Sequence, residues 1–342
     1  MDMNRRKLLA AGAAAGLSTL MATPARAQAK TVGEQMRAHA TDLLASLEAT
    51  QRDAVLFPFD SGDRKAWNFM LGSIRAPGLA LEQMTPPQKD LALELLASGT
   101  SQFGLEKAMN IMLQQDILRD EWGKGSPNRN RERFSLQIYG TPASNGSWSW
   151  RWEGHHLSLT FTLLDDEVIS TTPSSFSSEP NTVPSGPHRG LVVLKEEEAL
   201  GRTLFGDLAA ANRRRALIWE RSPGNIRSNR GAERQVASEA AGVPLGDLNQ
   251  RQQDMVARLV EVYATEVLPP QLATRQARIL NDEDRDAMRF AWGGADLDGS
   301  VYYRLTGSDL LIEFASLRNQ PLHLHAVFHD TARNFGAHRI SG

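Results

Sequence analysis

From Phe134 onward the chain alternates between apolar and polar residues. Leu136 and Ile138 flank Gln137. Trp148, Trp150 and Trp152 alternate with Ser149, Arg151 and Glu153, and Leu157, Leu159, Phe161 and Leu163 alternate with Ser158, Thr160 and Thr162. A period of two puts every second side chain on one face of a strand, so each of these segments has one face to bury. Asp165-Asp166 reads as a turn into Val168-Ile169-Ser170. The same period returns near the other end of the chain, in Val301–Thr306, Asp309–Ala315 and Leu322–Phe328. Half-buried strands need partners, so the two distant blocks are expected to share one antiparallel sheet. Gly307-Ser308 is expected as a two-residue hairpin turn that pairs Thr306 with Asp309, Tyr303 with Ile312 and Tyr302 with Glu313. Val301, Tyr303, Leu305, Leu310, Ile312 and Phe314 then share the apolar face, and Tyr302, Arg304, Leu311 and Glu313 the other.

Helical spacing occupies the remainder. Met36, Ala40, Leu43, Leu44 and Leu47 recur on one helical face. Thr85-Pro86-Pro87-Gln88 has the form of a helix start, with proline in the first turn and a glutamine three residues after the cap. Gly99 separates that helix from one carrying Leu105, Ala108, Met109, Met112 and Leu113, and the two are expected to pair. Further helices are expected over about 194–220 and 247–280. Pro173 to Gly190, rich in Ser, Pro and Gly, and 222–246 read as loops. The fold class that results is α+β: an antiparallel β-sheet of mid-chain and C-terminal strands with helices packed around it.

The first 27 residues do not fit this pattern. Arg5-Arg6-Lys7 precedes an apolar run from Leu8 to Leu20, and Ala25-Arg26-Ala27 follows. A basic start, a short apolar stretch and a small-x-small site are the parts of a secretory signal. Arg5-Arg6 before Leu8-Leu9 resembles a twin-arginine signal, read by the twin-arginine export machinery. The expected organisation is a cleaved segment 1–27 and a single domain over 28–342, periplasmic or secreted. No later stretch has the length of a mature membrane span. The chain has no cysteine, which excludes thiolate catalysis, iron–sulfur clusters and zinc–cysteine sites. A formal net charge of -2 argues against a nucleic-acid partner.

Five of the eight histidines fall in two short segments. In Leu322–Asp330, Leu322, Leu324, Ala326 and Phe328 form one face, and His323 and His325 project from the other. His-x-His on a strand sets two imidazoles on one side, about 6.5–7 Å apart along the strand, from which they can converge on one ion. His155-His156 follows Gly154, where the apolar positions change from even to odd numbers, and a β-bulge at Gly154 is the expectation. One of the two is expected to be a ligand. Imidazoles without thiolates suit a divalent transition metal such as Zn, Cu or Fe. Sharing one ion requires the two histidine pairs to lie within about 10 Å, given bonds of about 2 Å. Glu153 and Glu313 are the candidate proton-transfer carboxylates, and Arg75 and Arg289 the candidate groups for holding a substrate.

Phe57-Pro58-Phe59-Asp60-Ser61-Gly62-Asp63-Arg64, Trp67-Asn68-Phe69-Met70, Ala108-Met109-Asn110-Ile111-Met112, Gln137-Ile138-Tyr139-Gly140, Trp152-Glu153-Gly154-His155-His156, Arg289-Phe290-Ala291-Trp292 and the late His323-x-His325 occur in that order. Together they resemble the bacterial "domain of unknown function 3500" family over almost the whole chain after residue 27. The resemblance implies an exported single-domain protein and carries no activity with it. The chain departs from the family pattern in having Ala315-Ser316-Leu317-Arg318-Asn319-Gln320 where a more polar run is expected, and His329-Asp330 where Arg-Asp is expected, which makes His329 a poor ligand candidate. The function expected from the residues is that of a metal-dependent enzyme, with hydrolysis of a small-molecule substrate the simplest reaction. The alternatives are a non-catalytic periplasmic protein that binds a metal ion or ligand, and a metal-free enzyme built on a His–Glu pair.

Overall fold

The computed structural model describes residues 30–70, 76–120, 129–228, 231–281 and 287–340. The expected export segment and Arg75 lie outside the described residues. The described helices are α1 (Val32–Ser46), α2 (Ala49–Val55), α3 (Pro86–Gly99), α4 (Gln102–Asp120), α5 (Lys195–Asp207), α6 (Ala210–Ala216), α7 (Glu233–Ala237), α8 (Gln250–Ala264) and α9 (Pro270–Asn281). The strands are β1 (Leu56–Phe57), β2 (Leu79–Ala80), β3 (Ser135–Tyr139), β4 (Ser147–Gly154), β5 (Leu157–Leu164), β6 (Glu167–Ser170), β7 (Ser174–Phe176), β8 (Leu217–Trp219), β9 (Val243–Pro244), β10 (Arg289–Gly293), β11 (Tyr302–Thr306), β12 (Leu310–Leu317) and β13 (Gln320–Asp330). Among the described residues no helix is long and apolar enough to cross a membrane.

The strands form one sheet in the order β1-β3-β4-β5-β7-β13-β12-β11-β10-β8, with β2, β6 and β9 paired at its flanks. The α+β class holds, but the sheet is mixed. β1 runs parallel to β3, and β8 parallel to β10, each at an end of the path. These parallel partners were not expected, because two- and three-residue strands are too short to show a period. The centre of the sheet is also unlike the expectation. Ser174–Phe176, inside the segment that reads as a loop, pairs with β5 on one side and β13 on the other. Its neighbours Thr171 to Asn181 are buried. Serines are weak strand formers by propensity, and here tertiary pairing overrides that preference.

One face of the sheet carries the main core. Trp148, Trp150 and Trp152 are wholly buried there, beside Leu159 and Phe161 and beneath Met36, Leu95 and Leu96 of the helices. Trp150 stacks on Phe161 with centroids 4.3 Å apart. Each tryptophan removes on the order of 200 Å² from water, about 5 kcal/mol at ~25 cal/mol per Å². Gly99 ends α3 against this pair, and an added Cβ would lie 2.8 Å from Phe161 and 2.9 Å from Trp150. The α3 start is built as its sequence indicates. Gln88 accepts from the Thr85 N–H at 2.9 Å and donates to the Ser46 carbonyl at 2.8 Å, which ties α3 to the end of α1. The helix packs more against α1 than against α4, its expected partner.

The opposite face is buried as well, although it is polar. Gln137, Ser149, Arg151, Glu153 and Thr160 are covered by the 57–70 segment. Arg151 donates to Gln137 at 2.7 Å, to Tyr139 at 2.6 Å and to the Asp63 carbonyl at 2.8 Å. Burial pushes the Tyr139 hydroxyl up to about 12, against the pull of Arg151. In the late hairpin the expected faces are observed, but the register is shifted by two: Tyr303 faces Phe314, Tyr302 faces Ala315, and Thr306 faces Leu311. A wider turn, closed by the Gly307 N–H on the Leu310 carbonyl, causes the shift. An even shift leaves every side chain on its original face.

His329 lies on this polar face, wholly buried, 5.4 Å from the Trp67 ring. Asn334 Nδ2 lies 3.1 Å from its Nδ1. Burial lowers its pKa from 6.5 to about 3. Above 6.5 the ring is neutral in both states. Between the two values only the unfolded chain binds the proton, so stability falls as pH drops through that window and levels off below it. Between pH 7 and 5 the wild type is expected to lose about 2 kcal/mol more stability than His329→Gln, at ~1.4 kcal/mol per unit. Urea unfolding at both pH values checks this; equal losses would refute it.

Candidate metal centre

β4 and β5 are joined by the tightest of connections. Gly154 pairs with Leu157, which leaves His155 and His156 as the two residues of a hairpin turn. They are therefore not in a bulged strand. A two-residue turn pairs even positions before it with odd positions after it, and this accounts for the change of apolar parity without a bulge. His156 has φ 74, a left-handed conformation that costs a side chain roughly 1–2 kcal/mol. Both of its backbone groups are held: its N–H donates to Phe69 at 2.7 Å, and its carbonyl accepts from Ser177 at 2.8 Å. The chain then runs from β7 toward the start of β13. Ser178 exchanges two 2.8 Å backbone bonds with Leu324, and Asn181 donates to the Leu322 carbonyl at 2.7 Å. This path sets the hairpin tip beside His323 and His325 and places Glu179 between them.

The Nε2 atoms of His156 and His325 each approach that of His323. His156 Nε2 is 2.9 Å from His323 Nε2, which is 3.2 Å from His325 Nε2. The ring centroids stand 4.7, 5.0 and 5.4 Å apart, a nearly equilateral triangle. Two nitrogens that bind one ion at about 2.0–2.1 Å with a tetrahedral angle lie about 3.3 Å apart. The observed separations match that spacing.

The outer nitrogens decide which atoms carry protons. His325 Nδ1 is 2.7 Å from Asn225 Oδ1. The same oxygen accepts the Ile226 N–H at 2.8 Å, which fixes the amide's orientation and makes His325 Nδ1 a donor. His323 Nδ1 faces two acceptors, Gln320 Oε1 at 3.2 Å and Glu179 Oε1 at 3.4 Å. Both rings therefore hold the proton on Nδ1 and turn bare Nε2 lone pairs toward each other. Two lone pairs at this distance repel unless a positive centre lies between them. Burial, reinforced by the neighbouring imidazoles, holds His156 and His325 well below the usual histidine range. The arrangement is the one by which carboxylate and carbonyl partners orient metal-binding histidines.

His155, His156, Glu179 and His323 also offer ligand atoms within 4.8 Å of one another and can hold a metal ion. That set and the Nε2 triangle share His156 and His323 but differ over His325. The triangle fits the lone pairs better. Glu179 approaches the Nδ1 side of His323, away from the convergence. His155 stacks on His156 with centroids 3.7 Å apart and planes 28° apart. The Nδ1 of His155 faces Gln115 Oε1 at 2.9 Å and Arg129 at 3.3 Å.

The other expected residues are placed differently. Glu313 is wholly buried; its oxygens accept the N–H groups of Arg227 and Ser228 at 2.9 Å each and the Tyr302 hydroxyl at 2.7 Å. It anchors the loop that carries Asn225. Glu153, also wholly buried, accepts the Asn68 N–H at 2.8 Å and the Ser158 hydroxyl at 3.1 Å. It anchors the strap whose Phe69 receives the His156 N–H and packs edge-on against His325 at 5.1 Å. Burial raises the Glu153 carboxyl, against Arg151. Arg289 pairs with Thr306, three strands from β13 and four residues along from Gly293, on the order of 20 Å from His325 at ~4.8 Å per strand and ~3.3 Å per residue. Glu179, Asn225, Arg129 and Gln115 were not singled out by sequence. Glu179 alone left a signal, as the only carboxylate in residues 168–195.

Glu313→Ala removes the acceptor of two backbone N–H groups and one hydroxyl. With about 1–3 kcal/mol for each group left unsatisfied, the expected loss of stability is at least about 3 kcal/mol. Denaturant unfolding measures it, and a loss under about 1 kcal/mol would show that water or a rearranged loop replaces the carboxylate.

No curated protein and no solved structure matches this chain. A family model does, over residues 29–337, and its description is protein of unknown function (DUF3500). With nearly the whole chain matched, the protein belongs to the DUF3500 family.

Proposed function

We propose that the protein is a metal-dependent enzyme whose ion is bound by Nε2 of His156, His323 and His325, and that it acts by hydrolysis on a small molecule. The observation that supports this reading most is the pair of bare nitrogens of His323 and His325, 3.2 Å apart, each with its Nδ1 committed to an oxygen acceptor. Three neutral imidazoles suit Zn, Cu or Fe and leave a tetrahedral ion one position for water or substrate. A divalent ion there supplies Lewis acidity and acidifies a bound water. The chain's own residues do the rest. Asn225 and Glu179 hold two of the rings in the ligating tautomer. Phe69 and the buried turn at His156 exclude water from the inner side, and His323 and His155, both partly exposed, face the outside. The twin-arginine pattern at Arg5-Arg6 supports export, by a route that carries folded and loaded proteins.

The burial of His156 and His325, 0% and 3% exposed, also favours a second reading, a carrier that binds the same ion and turns nothing over. Elemental analysis of the purified protein is the test common to both. About one equivalent of a transition metal is expected in the wild type, and near-complete loss in a still-folded His323→Ala/His325→Ala variant, since each lost ligand removes a bond that this site needs. A wild type that takes up no transition metal after dialysis against Zn, Cu and Fe salts would overturn both.

Replacing Asn225 probes the orientation of His325. Asn225→Ala is expected to weaken metal affinity by about 10–100-fold with the ligands intact. Competition with a chromogenic chelator measures this, and unchanged affinity would mean that the His325 tautomer does not matter.

A further inference from the structure

Beside the partly exposed His155 lies a cation that the ligand set does not use. Arg129 Nη1 lies 3.3 Å from His155 Nδ1, and Nη2 lies 3.3 Å from Glu179 Oε2. Both contacts are longer than the ~2.7–2.9 Å of a tight charge-assisted bond. Among the described residues these are the guanidinium's only side-chain partners. Its side chain is 18% exposed, whereas that of Glu179 is 5% exposed. Arg129 therefore stands at the more exposed edge of the site, its two terminal nitrogens held among the described residues by these two long contacts.

The charge balance points the same way. Three neutral rings and a divalent ion carry two positive charges. Glu179 is the one carboxylate beside them, and Arg129 offsets it. Glu153 and Glu313 are turned onto backbone N–H groups of the two straps. Gln115 and Gln320, which touch the outer histidines, are neutral. A site with this excess of positive charge, half-removed from water, favours an anion over a neutral or cationic ligand. The guanidinium fork matches the paired oxygens of a carboxylate or phosphate.

We propose that the molecule bound at this centre carries an oxyanion group, carboxylate or phosphate, and that Arg129 receives it beside the metal. The proposal rests on the metal reading above and adds the substrate class. The two fail in different ways. The test uses the full chain loaded with Co²⁺, whose visible bands report a ligand entering the metal's surroundings, titrated separately with acetate, inorganic phosphate and neutral acetamide. Acetate, phosphate or both are expected to shift the bands, the stronger of them naming the group, and acetamide is expected to leave them unchanged. Arg129→Met is expected to keep one Co²⁺ per chain and to bind the anion about tenfold or more weakly, and Arg129→Lys to fall between, because it keeps the charge and loses the fork. Should Arg129→Met fail to fold or to hold Co²⁺, Arg129→Lys carries the comparison, with a threefold or greater loss expected for the missing fork, about 0.7 kcal/mol. Loaded protein that binds neither anion, that binds acetamide as well as acetate, or whose intact variants bind the anion like the wild type would overturn the proposal and leave the metal site standing. A wild type that takes up no Co²⁺ would overturn both.

Discussion

Backbone pairing along Ser174–Phe176 is the join on which the remainder of the molecule depends. This three-residue strand has the mid-chain strands on one side and the C-terminal strands on the other. Without it there are two sheets and no shared site. The serines in and beside it are small and find partners: the Ser175 hydroxyl meets Ser177 at 3.1 Å and donates to the Ala326 carbonyl at 3.1 Å, and Ser177 accepts the Ala326 N–H at 3.2 Å. A run of serines can therefore sit in the buried centre of a sheet without orphaned hydroxyls. The same pairing continues through Ser178 to Leu324 and delivers Glu179 to His323. Closing the sheet and assembling the histidines are one event.

The polar face of the sheet is the second unusual feature. Burying Arg151, Glu153, Arg304 and Glu313 is costly unless each is fully partnered. The chain offsets part of that cost with straps that cross the face and turn their backbone groups toward it, while Glu153 Oε1 and Arg304 Nε keep no partner among the described residues. Asn68 gives its N–H to Glu153, and Arg227 and Ser228 give theirs to Glu313. Each strap then reaches one residue of the site: Phe69 holds the backbone of His156, and Asn225 holds the ring of His325. The two carboxylates that read as proton-transfer groups thus act on the site through the loops they anchor. Stability and site geometry are coupled here, because the acceptor that keeps a strap in place also sets where an imidazole points.

Much of the fold was legible because a strand's period survives any mistake about its partners. The alternation at Trp148, Trp150 and Trp152 and at Leu324, Ala326 and Phe328 indicated which residues would face the core, and they do, whereas Leu322, expected on the same face, is 42% exposed at the start of β13. Register was less accessible: the hairpin after Thr306 slipped by two because turn width is a matter of backbone conformation, which Gly307-Ser308-Asp309 leaves open. His155-His156 reads equally well as a bulge or a turn, since both change the parity of the apolar positions. Of the site, the histidines were visible as a pattern, and their supporting residues were not. Glu179, Asn225, Gln115 and Arg129 lie on four separate segments with no spacing that relates them.

By itself the sequence determined the class of the fold, the apolar face of most long strands, the exclusion of thiolate chemistry, and the histidines that cluster between the β4–β5 turn and β13. All of these are local properties, carried by residue type and a period of two or of 3.6. Only the tertiary structure decided that a serine-rich segment is the centre of the sheet, that the sheet ends in parallel partners, which acceptors face the Nδ1 atoms of His323 and His325, and which arginine lies beside His155 and Glu179. Those depend on contacts between residues far apart in the chain, where the free energy of pairing and burial outweighs local preference and leaves no trace in the order of the amino acids.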